Sequence, residues 1–196
     1  MEGLVAALHK LADGLEANAD EFTKLDSEAG DGDLGLTAGK IAHGIRLALA
    51  EPGDSVKQLV LNLGKEISKA APSTFGTLYA SGFLAAGLAL NDDDDALTQL
   101  QTALNSALEK IAQRGKSEEG QRTLLDALGP ASRAAAASSD MPSALSSAAV
   151  AAGEGVEATK GMMPRHGRAG WIGERAHGIA DAGATVIWRS LEAVSE

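Results

Sequence analysis

The sequence predicts an all-α protein, and three observations carry that expectation. Aromatic residues make up only 3% of the chain while Ala and Leu dominate, a composition suited to close helix packing rather than to pleated sheets. Apolar residues recur at three- and four-residue intervals through eight segments. No run of alternating apolar and polar residues is long enough to build a sheet. At 196 residues the chain is expected to form one domain, spanning 1–196, that buries roughly 70% of its unfolded surface.

Leu4, Leu8, Leu11 and Leu15 open the first helix, expected over about residues 2–20. Further helices are expected over about 36–50, 54–70, 75–90, 95–113, 118–137, 142–161 and 169–194. The punctuation agrees with these bounds. "EPGDS" (51–55) supplies a turn and an Asp or Ser cap, Asp140 with Pro142 starts another helix, and "GMMPRHGR" (161–168) breaks one with Gly and Pro. The acidic run "NDDDDAL" (91–97) is expected to cap the helix that follows it. Short connections favour antiparallel neighbours.

Composition also excludes whole classes of function. With no cysteine, disulfides, thiolate metal sites and cysteine nucleophiles are absent, in keeping with a reducing cytoplasm. A formal charge of -10 with no basic, aromatic-laced cluster argues against nucleic acid as a partner. Residues 1–22 carry charges throughout and read neither as a secretory signal nor as a membrane span. The expected location is cytoplasmic, with no membrane partner. Any phosphate ligand of so acidic a chain needs a bound cation or a nest of backbone amides.

The stretch "LDSEAGDGDLG" (25–35) meets that need. Its three glycines interrupt the helical pattern, so Asp26, Asp31 and Asp33 are expected in one loop between helices. Carboxylates crowded in this way repel one another unless a hard cation sits between them. An all-oxygen donor set suits Mg2+ or Ca2+. An EF-hand is excluded, because no Glu closes the ligand ladder after Asp31. Three carboxylates leave open coordination positions on magnesium, which phosphates commonly fill. Taken alone, the same residues also describe a turn that caps the next helix.

Three further stretches matter. "KAAPSTFGTLYASGF" (69–83) places Ser73, Thr74 and Gly76 at a helix start, where unpaired amides meet anions. "RGKSEEGQRTLLDALGPA" (114–131) sets Gly115 before a helix and Leu124 within it. "PRHGRAGWIGERAHGIADAGA" (164–184) gathers Arg165, Arg168 and Arg175 with Asp181. Singly, these also read as a cap, a helix start and a solvated basic turn. His9 and His43 read as surface residues, and Trp171 and Trp188 as packing anchors. His166 and His177 lie in the basic block and are assigned no catalytic role.

Together and in this order the four stretches, covering nearly the whole chain, resemble the ADP-binding L subunit of bacterial dihydroxyacetone kinases. The same domain forms the C-terminal nucleotide domain of the single-chain ATP-dependent enzymes. The resemblance rests on "GDGDLG" with the upstream Asp26, on the "GxLY" of residues 76–79, on the "RGK…G…T-L-L-D-A-L-x-P" block and on "GRAxxxGERxxGxxDxGA". It implies a closed barrel of eight antiparallel amphipathic helices with the nucleotide and Mg2+ at one end.

The resemblance also implies a role for each residue. Asp26, Asp31 and Asp33 would hold Mg2+, as two ions. Leu34, Gly35, Leu36 and Thr37, with Thr74, Phe75 and Gly76, would hold the phosphates. Gly115 and Leu124 would line the adenine side, and Arg168 would meet the phosphates as the catalytic residue. Asp181, Ala182 and Gly183 would close over the nucleotide.

The implied activity is phosphoryl transfer from Mg-ATP, or from Mg-ADP recharged by an M-type phosphotransferase-system donor, to a small ketose. That ketose is held through a histidine by a separate K subunit, so this chain would supply half of an active site. A homodimer is also compatible, and a nucleotide-binding regulatory subunit is the alternative reading. Three positions depart from the family pattern: Leu34 replaces His or Thr, Phe75 replaces a phosphate-contacting Ser, and Ala182 replaces Pro. They point to a branch acting on a related ketose or sugar.

Overall fold

The computed structural model describes residues 1–165 and 177–196. Among the described residues there are nine α-helices and no strand: α1 (Glu2–Ala17), α2 (Ala19–Ala29), α3 (Leu34–Ala50), α4 (Val56–Ala70), α5 (Thr74–Ala89), α6 (Ala96–Gly115), α7 (Leu125–Ala136), α8 (Met141–Thr159) and α9 (Ala182–Ser195). Side-chain oxygens fix several starts by accepting orphan first-turn amides. Ser55 accepts from the Gln58 amide, Ser73 from Gly76, Asp95 from Leu97 and Thr98, Asp140 from Ser143, and Asp181 from Ala184. Asp95 is the last acid of the "NDDDDAL" run, which therefore caps α6 as its charge pattern suggests.

Three expected bounds are corrected. The first helix divides at Asn18, whose Nδ2 donates to the Gly14 carbonyl at 2.8 Å. That side-chain bond competes with the helical ladder, and α2 then runs on to Ala29. Asp26 consequently sits on the last turn of a helix rather than in a loop. The helix expected from 118 begins at Leu125, because Lys116, Gly120 and Arg122 all take left-handed backbone, with φ of 49°, 85° and 58°, which no α-helix tolerates. The last helix begins at Ala182; residues 166–176 of the expected 169–194 span lie outside the described residues.

Each helix packs on a neighbour in succession: α1 on α3, α3 on α4, then α5, α6, α7, α8 and α9, which returns to α1. One apolar cluster runs through this arrangement, built on Ala38, Ile41, Ala42, Ile45, Leu59, Leu63 and Ile67 from α3 and α4 and on Ala152, Ala184 and Val186 from α8 and α9. Trp188 packs on its margin as an anchor, while Arg189 pairs with Glu21 at 2.8 Å and ties α9 to α2. His9 and His43 are exposed. Among the described residues no helix is long and apolar enough to cross a membrane.

Small residues set the spacing of the helices. A Cβ at Gly44 would lie 2.8 Å from the Ile67 Cα and 2.9 Å from its backbone N, so α3 and α4 touch through backbone. Gly44→Ala should therefore force the two helices apart. Overpacking costs about 1–3 kcal/mol, against a helix-propensity gain for Ala of at most ~1 kcal/mol. The expected outcome is a clear loss of stability in urea unfolding, and an unchanged midpoint would show that the contact yields freely.

Candidate functional site

The carboxylate cluster is assembled where α2 stops and α3 starts. Gly30 ends α2, and a Cβ there would collide with the Asp26 side chain. Gly32 takes φ 76°, a left-handed turn that suits glycine. This reversal carries Asp31 and Asp33 back over the end of α2. One oxygen from each of Asp26, Asp31 and Asp33 then lies within 4.8 Å of the others.

The hydrogen bonds argue against a cap alone. Asp33 occupies the N-cap position of α3 yet makes no side-chain cap bond. Asp26, eight residues before Leu34, receives the Leu34 amide instead at 3.2 Å. Oxygens on opposite sides of one magnesium ion lie about 4.2 Å apart, twice the 2.0–2.1 Å bond. The 4.8 Å ceiling on the separations is of that order, and among the described residues the cluster contains carboxylates alone, a donor set that agrees with a hard cation.

Beside the cluster lies a cleft of about 220 Å³ bordered by Asp33, Leu36, Thr37, Lys40, Pro72 and Ser73. It joins the starts of α3 and α5, where the Thr37 and Ser73 hydroxyls approach to 3.5 Å. Ser73 already accepts the Gly76 amide at 3.0 Å, so the amides of Thr74 and Phe75 are the ones that α5 leaves to a ligand. Likewise the Leu34 amide is taken by Asp26, leaving those of Gly35 and Leu36 at the start of α3. Lys40 is an exposed cation on this cleft. Its place three residues after Thr37, on the same helical face, was a signal that sequence reasoning missed.

The start of α9 reaches the same region, since a Cβ on Gly183 would lie 3.3 Å from the Phe75 ring. Asp181 caps this helix through the Ala184 amide at 2.8 Å. Its own amide donates to the hydroxyl of buried Thr159 at 2.9 Å. Burial pushes the Asp181 carboxyl up to about 6, against the pull of the Ala184 amide and of Arg122, and Asp126 adds to the rise. Asp126, the acid of the "RGK" block, and Arg122 are both buried, and Arg122 is a further residue that the spacing of motifs did not single out.

The structure thus brings Asp26, Asp31, Asp33, Leu34, Gly35, Leu36, Thr37, Thr74, Phe75, Gly76, Ala182 and Gly183 to connected helix ends. Leu124 adjoins the start of α7 and is buried in the main core. Gly115 ends α6 rather than preceding a helix. Arg168, Arg175, His166 and Trp171 lie outside the described residues, and His177 is exposed. Helix amino ends carry partial positive charge and unpaired amides. Beside a carboxylate cluster spaced to admit a cation, such ends can receive a polyphosphate in a chain that would otherwise repel it.

Residues 28–196 match the model of the DAK2 domain. The chain belongs to the DAK2 domain family. Among its relatives, this DAK2 chain is 29% identical over 199 residues to the L-erythrulose 1-kinase of Mycolicibacterium smegmatis, covering 98% of this chain and 35% of that protein. It is 28% identical over 190 residues to the ADP-binding subunit DhaL of the PEP-dependent dihydroxyacetone kinase of Escherichia coli, covering 94% and 90% respectively. The dihydroxyacetone kinase of C. freundii superposes with a TM-score of 0.79 at 26% identity over 97% of this chain and 33% of that one. It has also been solved with AMP-PNP and Mg2+. The DAK2 chain thus spans about a third of the length of the L-erythrulose 1-kinase and of the C. freundii kinase chain and nearly the whole of the DhaL subunit.

Asp181 gives this DAK2 chain a readable pH signature. Its carboxyl rises from an ordinary 3.8 to about 6 on folding, so between those values the folded chain holds a proton that the unfolded chain has released. Stability from this group is present below pH 4 and falls as pH rises towards 6. The urea midpoint of the wild type minus that of Asp181→Asn should therefore decline across this window. Parallel profiles would show that the carboxyl is not perturbed.

Proposed function

We propose that this chain is the nucleotide-binding, phosphoryl-transferring part of a kinase for a small ketose, completed by a substrate-binding K-type subunit. The observation that carries this reading is the carboxylate cluster of Asp26, Asp31 and Asp33 beside the amino ends of α3 and α5. The nucleotide would be ADP or ATP. Support for the acceptor class comes from the relatives, whose names give erythrulose and dihydroxyacetone as substrates. The exchange of Ser for Phe75 and of Pro for Ala182 favours a ketose other than dihydroxyacetone.

In this reading Asp26, Asp31 and Asp33 hold Mg2+, which when bound neutralises charge on the phosphates. The amides of Gly35, Leu36, Thr74 and Phe75 orient the phosphoryl oxygens, and Lys40 adds a cation at the cleft. Arg168 is assigned to stabilising charge that develops on the transferred group. Asp181, Ala182 and Gly183 hold the start of α9 over the nucleotide, with Gly115 and Leu124 on its adenine side. Among the described residues none is placed to take the acceptor's proton, and that task falls to the K-type partner. Direct exchange with ATP and recharging of held ADP by an M-type phosphoryl donor are the two donor schemes.

Phe75 favours a second reading, a regulatory subunit that binds nucleotide without catalysis. Its ring occupies the place of a hydroxyl that would meet phosphate, and packs 5.9 Å from the Tyr79 ring, centroid to centroid. Addition of a cognate K-type subunit and ketose decides between the two, because formation of a ketose phosphate removes the regulatory reading.

Calorimetric titration with ADP tests the site itself. Binding to the wild type should require Mg2+ and should be lost or weakened at least tenfold in Asp31→Asn. Equal binding with and without Mg2+, or in both proteins, would remove the carboxylate cluster from the nucleotide site.

A further inference from the structure

Arg122 is the residue that the nucleotide and metal reading leaves without a task. It is only 2% exposed, although a guanidinium keeps its charge inside proteins. Its backbone sits at φ 58°, a left-handed conformation that a non-glycine residue holds only when its surroundings demand it. Nη2 donates to the Ile179 carbonyl at 3.0 Å, 57 residues further along the chain. Among the described residues Nε and Nη1, both buried, have no hydrogen-bond partner. A desolvated cation with unmatched donors weakens a fold unless it holds something in place.

What it holds is visible in its neighbours. Asp181 is the negative charge that offsets the burial of Arg122, and Arg122 in turn draws down the Asp181 carboxyl. Asp126 is occupied elsewhere: its carboxylate accepts the amides of Gly120 and Thr123 and folds the turn before α7. Of the other charged residues on these segments, His177 is exposed and Lys160 pairs with Glu157 at 2.7 Å. Arg122 therefore links the turn before α7 to the segment before α9 through the Ile179 carbonyl.

Resting on the function proposed above, we infer that Arg122 is a positioning residue: it fixes the 177–181 segment and the Asp181 cap against the turn before α7, so that the two walls enclosing the base end of a nucleoside diphosphate are set as one unit. The start of α9 depends on that link twice. The Asp181 carboxylate caps it, and Gly183 must stay close to Phe75 for the α9 and α5 amino ends to face one ligand.

The test uses the full chain with Arg122→Met and Arg122→Lys. Carbon-detected NMR of the free protein reads the Asp181 titration midpoint, and calorimetry with ADP and Mg2+ reads affinity. Arg122→Met should move the midpoint above the wild-type value of about 6 and weaken ADP at least tenfold. Arg122→Lys should restore the midpoint and part of the affinity. An unmoved midpoint in Arg122→Met, or a moved midpoint with unchanged ADP affinity, would overturn the inference. If Arg122→Met does not fold, Arg122→Lys decides: weaker ADP binding supports the role of the guanidinium fork, and wild-type midpoint and affinity together overturn it. Absence of ADP binding in the wild type would overturn the nucleotide reading, and the midpoint then decides the link between Arg122 and Asp181 by itself.

Discussion

Three carboxylates held within 4.8 Å of one another, in a chain whose formal charge is -10, impose an electrostatic demand on everything around them. Coulomb repulsion at that spacing is worth about 1 kcal/mol per pair in water and several times more at a partly buried site. The fold meets the demand with partial positive charge. The Leu34 amide bonds to Asp26, and the amino ends of α3, α5 and α9 are brought together by the Thr37–Ser73 and Gly183–Phe75 contacts. A cation placed in the cluster and a polyphosphate placed on the helix ends would each lower the cost of the other, which is the physical content of a metal–nucleotide site.

The convergence of these ends follows from small residues along the helices. At Gly44 the α3 backbone meets Ile67, and at Gly155 the α8 backbone meets the Asp126 carbonyl. Such contacts bring helix axes close and leave little room for sliding, so the starts of the helices keep their spacing. Phe75 fits this account. Its ring lies between Gly183 and Tyr79 and sets how closely α9 approaches α5. Under the proposed function, the phosphate contacts on α5 would then come from backbone amides held by packing.

The parts of the molecule legible in the sequence are those whose causes are local. Ser55, Ser73, Asp95 and Asp140 are caps two or three residues from the amides they receive, and the Asp26, Asp31 and Asp33 cluster is folded by glycines inside the same eleven-residue stretch. What was not legible has distant or unusual causes. Asn18 lies within an unbroken apolar pattern, and only its bond to the Gly14 carbonyl shows why α1 stops. The segment before α7 looked helical because two of its three left-handed residues, Lys116 and Arg122, are not glycine. The burial of Arg122 depends on Ile179 and Asp181, almost sixty residues away, and no periodicity announces it.

The two ends of the candidate site differ in a way that bears on the proposed partner. Under the proposed function the base side is lined by Leu124 and Arg122, both buried. On the side proposed for the phosphates Asp31, Asp33 and Lys40 are exposed, and Leu36 is 65% exposed at the cleft. Phosphoryl transfer to an alcohol competes with transfer to water, and exclusion of water also strengthens each charge interaction that stabilises the transferred group. An open phosphate side cannot provide that exclusion from within. Under the proposed function, the exposed Leu36 and Pro72 therefore belong to the surface that a K-type subunit covers, and the subunit that brings the ketose is also the one that dries the site.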